Sequence, residues 1–238
     1  MKEIARALIE TQSVLIRPEE PFQLRSGRLS PIYVDCRRLI SFPASRSAIT
    51  QAFAEIAGKE IGRNAVDVVA GGETAGIPFA AFLAVELGKP MIYVRKAPKG
   101  YGKGAQIEGV LETGQRVLLV EDLVTDGGSK LVFQRGIETA GGIIKHCLCV
   151  FEYYSERAGL REARDRLKKH GIQLHSLTHW DELLELLRAE GRLTLEQHEQ
   201  ILTFLRDPEE YTRQRSFGEP GTTPTRPVPK RKQSSPDS

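Results

Sequence analysis

The chain is predicted to be an α/β protein: a mainly parallel central sheet flanked by helices, with an N-terminal cap or hood. Three observations carry this. From about Val66 onward, short apolar runs of strand length alternate with longer segments of helical length. Several of these segments end at glycines, where the chain can turn back over a sheet. The 238 residues, 40% of them hydrophobic, are enough for one real core. Strand–helix–strand alternation sets successive strands parallel and puts helices on both faces.

The elements follow in order. "MKEIARALIETQ" carries Ile4, Ala5, Leu8 and Ile9 at helical spacing. It contains acids and lacks a long apolar stretch, so it reads as a folded helix rather than a signal peptide. "FQLRSGRLSPIYVDCRRLIS" is short, extended and turn-rich, and is expected to form part of the cap. "SAITQAFAEIAGKEIG" is an amphipathic helix. "VDVVAG" is a buried strand, and "IPFAAFLAVELG" a helix stopped by Gly88. "MIYVR" and "RVLLVED" are the next strands, and "LVFQRGIETAGG" is a helix closed by glycines. "IIKHCLCVFEYY" and "IQLHSL" supply a fourth and a fifth strand. "WDELLELLRAEG" and "TLEQHEQILTFL" are amphipathic helices, the second opened by a capping box of Thr194 and Gln197. One domain is expected over residues 1–215, with the cap at about 1–45 and the C-terminal helices at about 180–205. Residues 216–238 turn rich in proline, serine and threonine, with a basic "KRK", and are expected to be a disordered tail.

Composition excludes several classes of function. A net charge of +3 is too small for a protein built mainly to coat nucleic acid. No run of about 20 apolar residues is present, so no membrane span is expected. The three cysteines, Cys36, Cys147 and Cys149, form no disulfide framework and fit a reducing cytoplasm. His146, Cys147 and Cys149 fall in a strand-like run whose side chains alternate between faces, so inert buried thiols are expected rather than metal ligands. His175 and His179 lie outside any HExxH context, so zinc is not expected there.

The chemistry concentrates in "VLLVEDLVTDGGSK", residues 117–130. In open parallel sheets ligands sit at the carboxyl ends of strands, which is where Glu121 and Asp122 fall. Adjacent strand residues point to opposite sides, so the two acids need not share one site. The following turn offers backbone N–H groups, and Gly127 and Gly128 allow close approach of a ligand. Ser129 suits a helix N-cap, which would aim a positive helix end at the same place. These features make an anion site. It is neither a Walker A loop nor a GxGxxG fingerprint. An acid beside it suits a ribose diol or Mg²⁺, so a sugar phosphate is the ligand suggested. The competing reading is a plain glycine turn with surface acids.

Two further stretches favour the ligand. "YVRKAPKGYGKGAQIEG" sets Arg95, Lys96, Lys99 and Lys103 among Gly100, Gly102 and Gly104. Four cations so close repel one another unless a multiply charged anion joins them, and the glycines suit a lid that shuts out water. "AGGETAGIPFA" is a second strand, glycine turn and helix, able to offer backbone donors to another phosphate. Phosphates at both ends of a ribose describe phosphoribosyl pyrophosphate.

"VLLVEDLVTDGGS" resembles the phosphoribosyl-pyrophosphate signature of type I phosphoribosyltransferases. With "FQLRSGRLSPIYVD", "GGETAGIPFA" and the basic lid, in this order and spacing, it resembles the orotate phosphoribosyltransferases over roughly residues 20–160. The resemblance implies a type I phosphoribosyltransferase-like fold and a Mg²⁺-dependent transfer of phosphoribosyl to orotate. It implies that Glu121, Asp122, Leu123, Val124, Thr125, Asp126, Gly127, Gly128 and Ser129 hold the 5′-phosphate and ribose. It implies a pyrophosphate turn at Thr74 and Ala75, and further contacts to phosphoribosyl pyrophosphate from Arg25, Arg95, Lys96, Lys99 and Tyr101. Lys99 takes the place of the main catalytic lysine, with Arg95 and Asp122 as further catalytic groups. Orotate contacts fall on Tyr33, Val34, Thr125 and Arg157. Mg²⁺ is held mainly through substrate, with Asp122 as the protein ligand. A cytoplasmic homodimer that shares its lid across subunits is also implied, with no nucleic-acid or membrane partner.

Two positions depart from the family pattern. Arg25 stands where the family often has lysine; it keeps the charge and can grip a phosphate by two bonds. Tyr101 stands where the lid often has histidine; with a pKa of about 10 it can donate a hydrogen bond but not act as an acid near neutrality. Two other readings compete: a transferase for a different base, and a non-catalytic regulator that senses phosphoribosyl pyrophosphate. The lid cations argue against the regulator, and the SPIY cap with Thr125 argues for orotate.

Overall fold

A computed structural model of the chain describes residues 2–24, 27–98 and 106–216. Arg25, Lys99, Tyr101 and Lys103, together with the tail beyond residue 216, lie outside the described residues.

The chain opens with α1 (Lys2–Glu10), which buries Ile4, Ala5, Leu8 and Ile9 on one face. Four short strands follow: β1 (Val14–Ile16), β2 (Phe22–Gln23), β3 (Leu29–Ser30) and β4 (Ile32–Val34). β1 pairs antiparallel with β4, and β2 pairs antiparallel with β3, giving the expected cap. A 3-10 turn, Cys36–Ser41, is capped by Asp35, whose carboxylate accepts the Arg37 N–H at 3.2 Å. α2 (Pro43–Ile56) carries proline in its first turn, where no intrahelical donor is needed.

The main layer then builds up through β5 (Val68–Gly72), α3 (Gly76–Leu87), β6 (Met91–Val94), β7 (Ile107–Glu108), β8 (Arg116–Val124), α4 (Gly128–Thr139) and β9 (Ile143–Glu152). It is completed by α5 (Glu162–Lys169) and β10 (Gln173–His179). Gly88 ends α3 with φ 62°, the left-handed conformation expected of its stop. α6 (Trp180–Ala189), α7 (Leu195–Arg206) and α8 (Pro208–Ser216) close the described chain. Thr194 and Gln197 form the reciprocal capping box at the start of α7.

The sheet order is β10-β9-β8-β5-β6-β7, parallel except for β7 against β6. The chain runs one way from β5 to β6, then crosses back to place β8 on the other side of β5. That reversal lies between β5 and β8, and a crevice at the carboxyl ends of those two strands is where such sheets bind ligands. Strand alternation divides the core. Leu118 and Val120 of β8 face one core with α1, α2, α3 and α6, while Val117 and Leu119 face another with α4 and α5. α5 and α8 were not expected from the sequence. α8 packs on the cap, where Leu29 N–H donates to Thr212 Oγ1 at 3.2 Å.

The three cysteines are buried and free. Burial pushes the Cys147 thiol up to about 12, so it behaves as a small apolar side chain. His175 and His179 serve different partners. His175 bridges His146 and Glu60 at 3.1 Å each, while His179 meets the Tyr154 ring edge-on at 5.0 Å. Among the described residues no helix is long and apolar enough to cross a membrane.

Candidate active site

Two turns meet at the crevice. The first, Glu73–Thr74–Ala75, joins β5 to the start of α3. The Glu73 N–H donates to Val94 O at 2.9 Å, and its carboxylate accepts the Lys96 N–H at 2.8 Å. The 73–75 turn is thus tied directly to the segment that follows β6. The peptide between Glu73 and Thr74 is cis. Thr74 is exposed, and the first N–H groups of α3 sit beside it.

The second turn, Thr125–Ser129, joins β8 to α4. Its boundaries correct two expectations. Leu123 and Val124 belong to β8 rather than to the turn. Val124 is fully buried and its carbonyl accepts the Tyr153 N–H at 2.8 Å, so its place is in the core. The helix cap is Gly127 at φ 79°, and Ser129 stands inside the first helical turn. The reason is conformational: the chain reverses through a left-handed residue that glycine adopts without cost. The Asp126 carboxylate accepts the Gly128 N–H at 3.2 Å and pairs with Arg166 at 2.7 Å. Burial opposes its charge, but those two donors prevail and hold its pKa below the usual carboxylate range. Thr125 and Ser129 are exposed at the crevice.

Glu121 and Asp122 point to opposite sides of the sheet, as strand alternation requires. Asp122 looks toward the cap, within electrostatic reach of Arg37 and Cys36. Burial raises its pKa, while Lys130, the Leu123 N–H and Arg37 pull the other way. Glu121 turns to the α4 side, where its Oε2 pairs with Lys130 Nζ at 2.6 Å. Its other oxygen lies in the space left by two glycines. A Cβ at Gly72 would overlap Glu121 Oε1, and one at Gly76 would come within 2.8 Å of it. Only 6% exposed, Glu121 is built into the floor of the site.

The remaining expected residues divide. Tyr33 is 40% exposed on the cap, its ring 5.9 Å from Phe22. Val34, its neighbour, packs its side chain into the core opposite Val14, so the site can draw only on its backbone. Arg157 is exposed on a loop held by Asp181, which accepts the Ser155 hydroxyl at 2.5 Å and the Glu156 N–H at 2.7 Å. Arg95 reaches Glu108 at 3.5 Å, and Lys96 is exposed. Lys130 and Glu73 were missed by the sequence reading. Lys130 follows Ser129, nine residues beyond Glu121, a spacing that becomes contact only when strand and helix fold together.

Two concavities lie away from the crevice. One of about 230 Å³ sits at the amino ends of β8 and β9, beside Val117 and His146. One of about 420 Å³ lies between α2 and β10, beside Glu60 and His175. Neither contains a glycine turn or lies at the carboxyl ends of the central strands.

Among the described residues no three or more His, Cys, Asp or Glu side chains gather to hold a metal. Mg²⁺ commonly takes only one or two carboxylates and completes its shell with water and substrate phosphates. Asp122, a hard oxygen donor at the strand end, fits that need; Glu121, enclosed with Lys130, does not.

Residues 41–183 match the phosphoribosyl transferase domain family. An orotate phosphoribosyltransferase of Cereibacter sphaeroides (strain KD131 / KCTC 12085) is 47% identical over 218 residues, covering 91% of each chain. The crystal structure of orotate phosphoribosyltransferase from Aeropyrum pernix superposes with a TM-score of 0.64 at 30% identity, over 80% of this chain and 99% of that one. The Mycobacterium tuberculosis H37Rv enzyme of the same name, in complex with 5-phospho-α-D-ribosyl 1-diphosphate, gives a TM-score of 0.59 at 26% identity, over 76% of this chain and 97% of that one. With two glycine turns at the switch point of its sheet and relatives matching nearly its whole length, the chain belongs to the phosphoribosyltransferase family, among the orotate phosphoribosyltransferases.

Proposed function

We propose that the chain transfers the 5-phosphoribosyl group of phosphoribosyl pyrophosphate to orotate, releasing pyrophosphate and orotidine 5′-monophosphate on the route to UMP. The observation that carries this is the juxtaposition of the turns 73–75 and 125–129 at the ends of neighbouring strands. One turn takes the pyrophosphate and the other the 5′-phosphate, with Asp122 at the ribose between them. Backbone N–H groups and the starts of α3 and α4 supply the positive ends for both anions.

In the reaction orotate reacts as the ring anion, its N1 proton already lost to solvent, and a bond forms from N1 to ribose C1′. The C1′–O bond breaks and its electron pair leaves with pyrophosphate. Positive charge develops at C1′ and negative charge on the leaving group, so catalysis rests on electrostatics more than on a strong base. Asp122 favours the developing positive charge at the ribose. Lys99, Arg95 and Lys96 close over the pyrophosphate and stabilise its charge. Asp122 would hold Mg²⁺, which would supply charge neutralisation to the leaving pyrophosphate. Arg25 and Tyr101 add contacts to phosphoribosyl pyrophosphate. Tyr33, the Val34 backbone, Thr125 and Arg157 frame the base. The enzyme works as a cytoplasmic homodimer whose lids reach across subunits.

The test supplies phosphoribosyl pyrophosphate and Mg²⁺ and follows orotate, uracil, adenine and hypoxanthine separately by ultraviolet absorbance. Turnover of orotate alone is expected. Turnover of adenine alone would sink the assignment, and no turnover of any base would sink the enzyme. Lys99→Ala should lower kcat by at least about 10²-fold, the scale of one transition-state contact.

A further inference from the structure

Lys130 is a lysine with 5% exposure placed beside a phosphate-binding turn. Its ammonium group is enclosed by the protein. It lies 2.6 Å from Glu121 Oε2 and donates to Leu123 O at 2.8 Å and to Ser129 Oγ at 3.1 Å. An ammonium has three protons, and here three oxygens receive them. Those oxygens belong to the strand-end acid, the strand backbone and the first turn of α4.

The far side of Glu121 completes the connection. Among the described residues its Oε1 has no hydrogen-bond partner, and it fills the notch between Gly72 and Gly76, the residues flanking the 73–75 turn. The ion pair therefore spans from one phosphate turn to the other beneath the ligand crevice. A matched apolar pair could often serve stability as well as a buried ion pair does. An apolar pair could not, however, hold three oxygens from three segments at fixed distances.

We propose that Lys130 is a positioning residue for phosphoribosyl pyrophosphate: paired with Glu121, it is a strut that sets the spacing of the turns at 73–75 and 125–129. The inference rests on the functional reading above, because that reading assigns the two turns to the two ends of one ligand. A misplacement of about 1 Å between reacting or binding groups can cost on the order of 10²-fold, so the spacing is worth fixing.

The experiment is calorimetric titration of the full chain with phosphoribosyl pyrophosphate and Mg²⁺, without orotate, alongside competition by ribose 5-phosphate. Lys130→Met, Glu121→Gln and the double variant are compared with wild type, and melting temperature is recorded for each. Lys130→Met should weaken phosphoribosyl pyrophosphate at least about tenfold. Ribose 5-phosphate, which engages one turn only, should weaken by no more than about twofold. Joining Glu121→Gln to Lys130→Met removes the uncompensated charge, so the melting temperature should recover while the affinity does not. Wild-type affinity in the double variant, or equal losses for both ligands, overturns the proposal. If Lys130→Met does not fold, Glu121→Gln and the double variant decide the matter by the same two readouts. A wild-type chain that fails to bind phosphoribosyl pyrophosphate would overturn the functional reading and this inference with it. Wild-type binding that the variants leave unchanged overturns this inference alone.

Discussion

Gly72→Ala tests how closely the floor of the site is packed. Gly72 is the last residue of β5, beside the turn at 73–75. A Cβ there would overlap Glu121 Oε1 and stand 2.6 Å from Phe133 Cε2. Neither neighbour can retreat. Phe133 is 1% exposed, and Glu121 is held by Lys130 at 2.6 Å. Overpacking of this kind costs about 1–3 kcal/mol. At about 2–4 °C per kcal/mol for a domain of this size, the melting temperature should fall by about 2–12 °C. The displaced turn should weaken phosphoribosyl pyrophosphate by up to about 10²-fold. Gly88→Ala is the control. Gly88 sits at the far end of α3 with φ 62° and nothing within 4 Å of an added Cβ. It should cost about 1–2 kcal/mol for the left-handed backbone alone, with ligand affinity unchanged. Differential scanning fluorimetry and calorimetry read both effects. A Gly72→Ala chain with wild-type affinity refutes the reasoning, whatever its melting temperature.

Other consequences follow from the same structure. Asp181→Ala removes two charge-assisted hydrogen bonds, each worth about 1.5–3 kcal/mol, that hold the loop bearing Arg157. Steady-state kinetics should show a several-fold rise in KM for orotate and little change for phosphoribosyl pyrophosphate; an unchanged orotate KM would remove Arg157 from the base site. Arg164→Met strands Glu152, which is 1% exposed and gripped by two Arg164 nitrogens at 2.8 Å. Urea denaturation should show a loss of about 2–4 kcal/mol, below the range for a fully buried pair, since Arg164 is half exposed and Ser176 still donates. A loss under about 1 kcal/mol contradicts this. His146 is held below the usual histidine range by burial, then by His175 and Lys145. The unfolded chain therefore binds a proton that the folded chain refuses, and stability is lost as pH falls through about 6.5. Melting between pH of about 7.5 and about 5.5 should be less pH-dependent in His146→Gln; an unchanged slope would place the effect elsewhere.

Much of the fold was legible because its signals are local. A valine-rich run ending in glycine gave β5, the apolar run RVLLVED gave β8, and the Thr194–Gln197 spacing gave the start of α7. α5 and α8 escaped for a physical reason. "EARDRLKK" buries only Ala163 and Leu167, and "PEEYTRQRS" is nearly as polar, so neither shows an apolar stripe. The N-cap was misplaced because serine is the commoner capping side chain, whereas here the turn needed a left-handed residue and took Gly127. Val34 looked like a site residue beside Tyr33, but alternation along β4 sends the two side chains to opposite faces. Lys130 was invisible as a site residue because its partner Glu121 comes close only through the β8–α4 turn.

The adjacency of Glu121 and Asp122 shows why pattern alone stops short at such a site. Two neighbouring carboxylates at a strand end look equivalent in sequence, and in water they would repel. Toward the carboxyl end of a central strand, in a sheet with both faces covered, they are separated by the layer itself. Leu118 and Val120 face the core shared with the cap, and Asp122 continues that row. Val117 and Leu119 face the α4 side, and Glu121 continues theirs to meet Lys130. Burial raises the pKa of both carboxyls, and among the described residues Glu121 has a cation, Lys130, 2.6 Å away on its own face. Its charge is thereby met within the protein by Lys130, whereas Asp122 lies on the opposite face, toward the cap. The parity of a single strand thus gives different surroundings to two residues that the sequence sets side by side.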